Sequence, residues 1–395
     1  MTSIWIRTTA AIAALILTLG TTACGSDDEK TAGGTGAKQT VKVGGIFDLS
    51  GATADVGTPY ADGIKGFVKD WNEQGDGPTI ELNSEDYKYD VAVAERLYSR
   101  LRSDGVVAVQ GWGTGDTEAL RGRVTADRVP FMSASYAETL TDPTQTPFNF
   151  VTATSYSDQM RLALQWISEQ AKGAQVASFH HASPFGESPQ KAGATKAKQL
   201  GVGFKTYAMP AEATDYVPQL RRAKAQGAKF VVIQNVSTPA AQLAKNIAEQ
   251  GLDMQIVCLN WCGDELFLDL AGDAAEGTVG VMPFAPASVK AEGLAQPRDF
   301  LAKSGGSLDK QGLHYVQGWY TMGLMAEGIK RAADKGKVSG DSIKQALEEM
   351  DAFDTGGVSA PVDFSATSHA GMKGSKLYQA KDGTWTELTD LLTVS

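Results

Sequence analysis

Cysteine and histidine are scarce in this chain of 395 residues, three of the one and four of the other. So few cysteines exclude a disulfide framework. The histidines, His180, His181, His314 and His369, have no spacing that pairs them as ligands, so no metal site is expected. Positive charge is also short, 36 basic against 46 acidic residues for a net charge of -10, which argues against a nucleic-acid partner. Beyond the N-terminus no apolar run is long enough to cross a bilayer as a helix. No Gly-x-Ser-x-Gly elbow occurs, and His180-His181 ends a predicted strand without an evident Ser or Asp partner. Hydrolase chemistry therefore has no support, and neither catalysis nor a cofactor is expected.

Arg7 precedes an apolar run over residues 10–19, right for the core of a secretory signal and too short to span. Thr21-Thr22-Ala23-Cys24 resembles the bacterial lipobox, with Thr21 where that motif usually has Leu. The resemblance implies a signal peptide over 1–23, lipid on Cys24, and a body held at the outer face of the cytoplasmic membrane. Residues 24–40 then form a tether, because GSDDEKTAGGTGAKQT is rich in Gly, Thr and charge and cannot bury a core. About 355 residues follow, more than one core usually organises, so two domains are expected.

From residue 41 short β-branched runs alternate with amphipathic helical stretches. Residues 41–49 read as a strand, after which Tyr60, Ile64, Phe67, Val68 and Trp71 share one helical face. Strands over 79–86, 106–110 and 130–133 follow, with helices between them. A second series runs through strands at 175–179, 204–209, 230–234, 255–259 and 278–282. Helices then dominate 296–350, and the tail over 358–391 reads as short antiparallel pieces. The fold class is α/β, two doubly wound parallel-sheet lobes with the ligand cleft at the carboxyl ends of the strands.

Several stretches in this order carry a family resemblance: Leu49-Ser50-Gly51 with Gly57, Asp62-Gly63-Ile64, Asp86 with Ala92, Phe185-Gly186, the run AGDAAEG over 271–277, and residues 315–326. Together they resemble the type I periplasmic solute-binding proteins of hydrophobic amino acid ABC importers. The resemblance implies a Venus-flytrap fold with a three-stranded hinge. It implies a first lobe of 41–154 plus 286–354 and a second of 155–285 plus 355–395. It further implies a monomeric partner of an ABC permease and ATPase that binds a small-molecule solute, a branched-chain or other hydrophobic amino acid by family. A ligand sensor for a membrane signalling partner uses the same fold.

Loops after strands would face such a cleft. Trp112 and Thr114 sit where a strand opens into a helix, so free amides and a hydroxyl can seat a carboxylate, or Thr114 and Asp116 can simply cap the helix. Ser135 and Tyr136 match the stretch where the family holds its ligand's carboxylate and amine, while Ser50 and Gly51 shape the first loop. The second lobe departs from the family. Phe185 replaces a common Tyr, Val236 falls where another is often found, and the ammonium-binding carboxylate falls on neutral Asn260. Glu265 and Asp264 are the acids nearby that can replace it. An uncompensated ammonium is costly in a dry cleft, which brings small aliphatic or aromatic carboxylates, amides and urea-like solutes into consideration.

Asn260 lies in the stretch Cys-Leu-Asn-Trp-Cys-Gly-Asp-Glu, residues 258–265. Trp261 either lines the cleft or packs beneath the loop. Cys258 and Cys262 form either a tight bridge or two buried thiols, since Cys-x-x-x-Cys is one residue too long for a redox motif.

Overall fold

The computed structural model describes residues 39–394. The signal segment, Cys24 and most of the tether lie outside the described residues. No helix among the described residues is long and apolar enough to cross a membrane.

The first lobe is built from β1 (Thr40–Phe47), α1 (Ala54–Gln74), β2 (Thr79–Asp86), α2 (Val91–Ser103), β3 (Ala108–Gly111), α3 (Thr114–Asp127), β4 (Phe131–Ser133) and β5 (Asn149–Phe150). Its strands form one parallel sheet in the order β2-β1-β3-β4-β5. The periodic positions of α1 and α2 are buried as their spacing demands: Val56, Tyr60, Ile64 and Phe67 on one, Ala94, Tyr98 and Leu101 on the other.

The second lobe follows with α4 (Tyr156–Gln170), β6 (Gln175–His181), α5 (Pro184–Glu187), α6 (Gln190–Leu200), β7 (Gly203–Met209), α7 (Val217–Ala225), β8 (Phe230–Gln234), α8 (Ser237–Glu249), β9 (Gln255–Cys258), α9 (Glu265–Ala271) and β10 (Val279–Met282). The chain then adds α10 (Ala295–Lys303), α11 (Leu308–Asp334) and α12 (Gly340–Glu348) to the first lobe. Finally β11 (Gly374–Lys381), β12 (Thr384–Glu387) and β13 (Leu392–Thr393) extend the second sheet, whose order is β12-β11-β10-β9-β8-β6-β7 with β13 on β11. The last three strands are antiparallel, as hairpin connections allow.

Residues 364–371, expected with the second lobe, lie against the last strand of the first sheet. Ala370 bridges Val151, and Phe364 meets Phe150 edge-on. His369 stacks on Phe150 and reaches the Asn149 carbonyl oxygen at 2.7 Å.

Helix α11 is buried on nearly every face and lies directly on α1. The approach needs glycine on both sides: a Cβ on Gly63 would fall 2.1 Å from the Tyr315 carbonyl oxygen, and one on Gly318 would fall 2.0 Å from that of Tyr60. At its start α11 breaks at Gly312 (φ 74°), so the straight helix begins at Leu313.

Candidate functional site

The site grows from two loops at the carboxyl end of the first sheet. Strand β3 ends at Gly111, Trp112 follows, and α3 opens at Thr114 behind the extended residue Gly113. Only glycine fits at 113, because a Cβ there would lie 2.4 Å from Asp116 Oδ1 and 2.5 Å from the Tyr87 hydroxyl. After β4 the chain turns through Ala134, Ser135 and Tyr136. Thr114 Oγ1 and Ser135 Oγ lie 2.8 Å apart and share one hydrogen, which ties the two loops together.

Trp261 comes from the opposite lobe, in a short turn after β9, and is the centre of an aromatic cluster. Its ring stands edge-on to Trp112 with centroids 4.9 Å apart, stacks on Tyr136 at 5.6 Å and stacks on His314 at 4.9 Å. Its indole N-H donates to the Tyr156 hydroxyl at 2.8 Å, and that hydroxyl donates in turn to the Ala134 carbonyl oxygen at 3.0 Å. The buried indole therefore has its partner, and the Tyr156 bond to Ala134 ties the lobes together. Phe185 sets its ring edge-on to Tyr156 at 5.4 Å.

Among these groups lies a small, nearly filled cavity of about 20 Å3. Thr53, Tyr89, Trp112, Gly113, Thr114 and Ala134 line it from the first lobe, and Tyr156, Phe185, Val236 and Trp261 from the second. Trp112, Thr114, Phe185 and Trp261, singled out in the sequence, are thus brought together on its wall. Ser135 stands behind Thr114 and Tyr136 beneath Trp261. Thr53 and Tyr89 were invisible to sequence reasoning because they sit in irregular loops; Thr53 accepts the Trp112 indole N-H at 2.8 Å.

Two expected residues have other occupations. Asn260 is fully buried: its backbone N-H donates to Gln159 Oε1 at 3.0 Å and its Oδ1 accepts from Gln317 Nε2 at 2.6 Å. Its amide nitrogen has no protein partner, and neither has the Tyr136 hydroxyl. Glu265 does not line the cavity. One oxygen accepts the Ala287 N-H at 2.9 Å and the other the Leu313 N-H at 2.7 Å, while burial pushes its pKa up.

The neighbouring Asp264 caps α9 through the Phe267 N-H at 2.7 Å and accepts from Ser237 Oγ at 2.6 Å. His314 Nε2 lies 2.9 Å from Asp264 Oδ2, within ion-pair range but off the line of a hydrogen bond. Burial lowers the His314 pKa, yet Asp264, Gln317 and Glu265 outweigh it and hold the imidazole above its ordinary value. Asp116 is buried behind Gly113 and accepts from the Tyr87 hydroxyl at 2.9 Å; desolvation pushes its carboxyl up to about 7.

Cys258 and Cys262 are free, buried thiols, so the bridge that the sequence left open is not formed here. Burial first, then the neighbouring Cys262, pushes the Cys258 thiol well up, which leaves it unreactive. Among the described residues no cluster of His, Cys, Asp or Glu is placed to hold a metal.

Comparison with known proteins gives the same answer at three levels. The family model described as periplasmic binding protein matches residues 40–384. The leucine-, isoleucine-, valine-, threonine- and alanine-binding protein of Pseudomonas aeruginosa is 22% identical over 317 residues, covering 79% of this chain and 83% of its own. A branched chain amino acid ABC transporter structure from Thermus thermophilus with bound valine superposes with a TM-score of 0.86 at 26% identity, over 91% of this chain and 97% of that one. An ABC transporter substrate binding protein from Aeropyrum pernix gives 0.84 at 28% identity, over the same shares of the two chains.

Proposed function

The chain belongs to the periplasmic binding protein family of extracytoplasmic solute carriers, and from that premise we propose that it captures a small solute in the cavity between its lobes and delivers it to an ABC permease. One observation carries the reading: a small cavity has walls from both lobes, with the Thr114 hydroxyl and a helix N-terminus on one side and aromatic rings on the rest. Hydroxyls and helix-terminal amides suit a carboxylate, and the rings suit an apolar body. Trp112, Thr114, Ser135, Tyr136, Phe185 and Trp261 are the residues we assign to the solute.

Binding between lobes favours the closed arrangement by the solute's differential affinity for it, and closure is the signal that the permease reads. Lipid on Cys24, with residues 25–40 as a tether, keeps the carrier beside its permease. The relatives' names point to branched-chain amino acids; the neutral second-lobe wall raises an amine-free acid as the rival solute.

A thermal-shift screen of the purified protein against amino acids, small amides, and aliphatic and aromatic carboxylates tests the role. A bound solute must raise the melting temperature by mass action. Silence across all these classes would remove the cavity as a solute site.

A further inference from the structure

The cavity can be read by sorting the polar groups around it into donors and acceptors. On the first-lobe side the Thr114 and Ser135 hydroxyls are paired, with the Tyr156 hydroxyl beside Thr114. The N-terminus of α3 abuts the same wall at Gly113 and Thr114, and the first amides of a helix lack intrahelical acceptors. Two more donors are buried in the surrounding cluster without a protein partner, the Tyr136 hydroxyl and the Asn260 amide nitrogen. These groups call for an acceptor.

The acids near the cavity are occupied elsewhere, and none lines it. Asp48 accepts from Gly51 N at 2.6 Å and from both the N-H and the hydroxyl of Thr53 at 2.8 Å. Asp55 accepts from Val56 N and Thr238 N, each at 3.0 Å. Asp264 and Glu265 are taken as described above. Asp116 accepts from the Tyr87 hydroxyl and faces the Gly113 and Asp116 backbone N-H groups; like the Tyr136 hydroxyl and the Asn260 amide it lies outside the cavity wall. An ammonium brings donors into a site already rich in donors, and a charge left unpaired in a closed apolar cleft is costly.

We propose that the solute is a small apolar carboxylate without an amino group. Its carboxylate is received at Thr114, Ser135 and the α3 N-terminus, and its body lies against Trp112, Phe185 and Trp261. This rests on the reading of the cavity as the solute site, and it decides between the two solute classes left there.

Calorimetric titration with three compounds of one carbon skeleton tests it: 4-methyl-2-oxopentanoate, 4-methylpentanoate and leucine. At least one amine-free acid should bind about tenfold or more tighter than leucine, since discrimination is the difference between two affinities. Asp116→Asn should leave that order unchanged. Leucine binding as tightly as either acid would overturn the proposal while leaving the carrier role intact, and its loss in Asp116→Asn would identify the counter-charge. If none of the three binds to protein that melts cooperatively, the carboxylate seat itself falls, and the reading beneath it.

Discussion

Glu265 of the second lobe accepts the backbone N-H of Leu313 in the first at 2.7 Å, where Gly312 breaks the entry to α11. The relationship is mirrored at Asp55 on α1, which accepts the Thr238 N-H in the first turn of α8 at 3.0 Å. Each lobe thus supplies a carboxylate to a helix N-terminus of the other, where the macrodipole favours negative charge.

Glu265→Ala should therefore destabilise the protein by about 2 kcal/mol, the usual cost of leaving buried amides without acceptors. Glu265→Gln keeps one of the two acceptors and should lose about half as much. Chemical denaturation measures both, and solute affinity should fall in the same order because the closed arrangement loses a tie.

His314 and Asp264 form a second link between the lobes. The His314 pKa is raised, so its contribution is full below the ordinary histidine range and is lost as pH rises through the raised value. Melting temperature should fall in wild type as pH rises through the raised His314 value and stay flatter in His314→Gln. Asp264, Glu265 and Gln317 face the imidazole, and Trp261 stacks on it, so the variant isolates the group that titrates.

Asp116 behaves in the opposite chemical sense. Its carboxyl is raised to about 7, so the folded state binds more protons than the unfolded state between about pH 4 and 7, and stability falls as pH rises there. Asp116→Asn should stabilise on the order of 2 kcal/mol at pH 8 and nearly nothing at pH 4. Denaturation curves at the two pH values give the comparison.

Cys258 and Cys262 should resist a thiol reagent in native protein and yield two equivalents after unfolding in denaturant. A protein with no titratable thiol on unfolding would mean that the pair is bridged after export.

Much of this fold was legible in the sequence, because helical and alternating patterns report burial directly. Tyr60, Ile64 and Phe67 mark the buried face of α1, and the helical stretch expected over 296–350 becomes α10, α11 and α12. Strand β5 was not legible, since two residues carry no period. The pocket residues found from sequence were those fixed by their loops, such as Trp112 and Thr114. Glu265 shows the limit: its charge is plain in the sequence, but its direction depends on Leu313, forty-eight positions away and in the other lobe. Gln317 and His314 were hidden for the same reason, inside a helix that reads as apolar all round.

The central claim, that Thr114 and Ser135 receive the solute's carboxylate, is tested most directly by calorimetric titration of wild type, Thr114→Val and Ser135→Ala with the carboxylate that gives the largest thermal shift. Each variant should bind about tenfold or more weakly, the loss of one hydrogen bond to a charged group, while the unliganded protein melts within about 3 °C of wild type. Unchanged affinity in both variants would contradict the assignment and move the carboxylate elsewhere in the cleft.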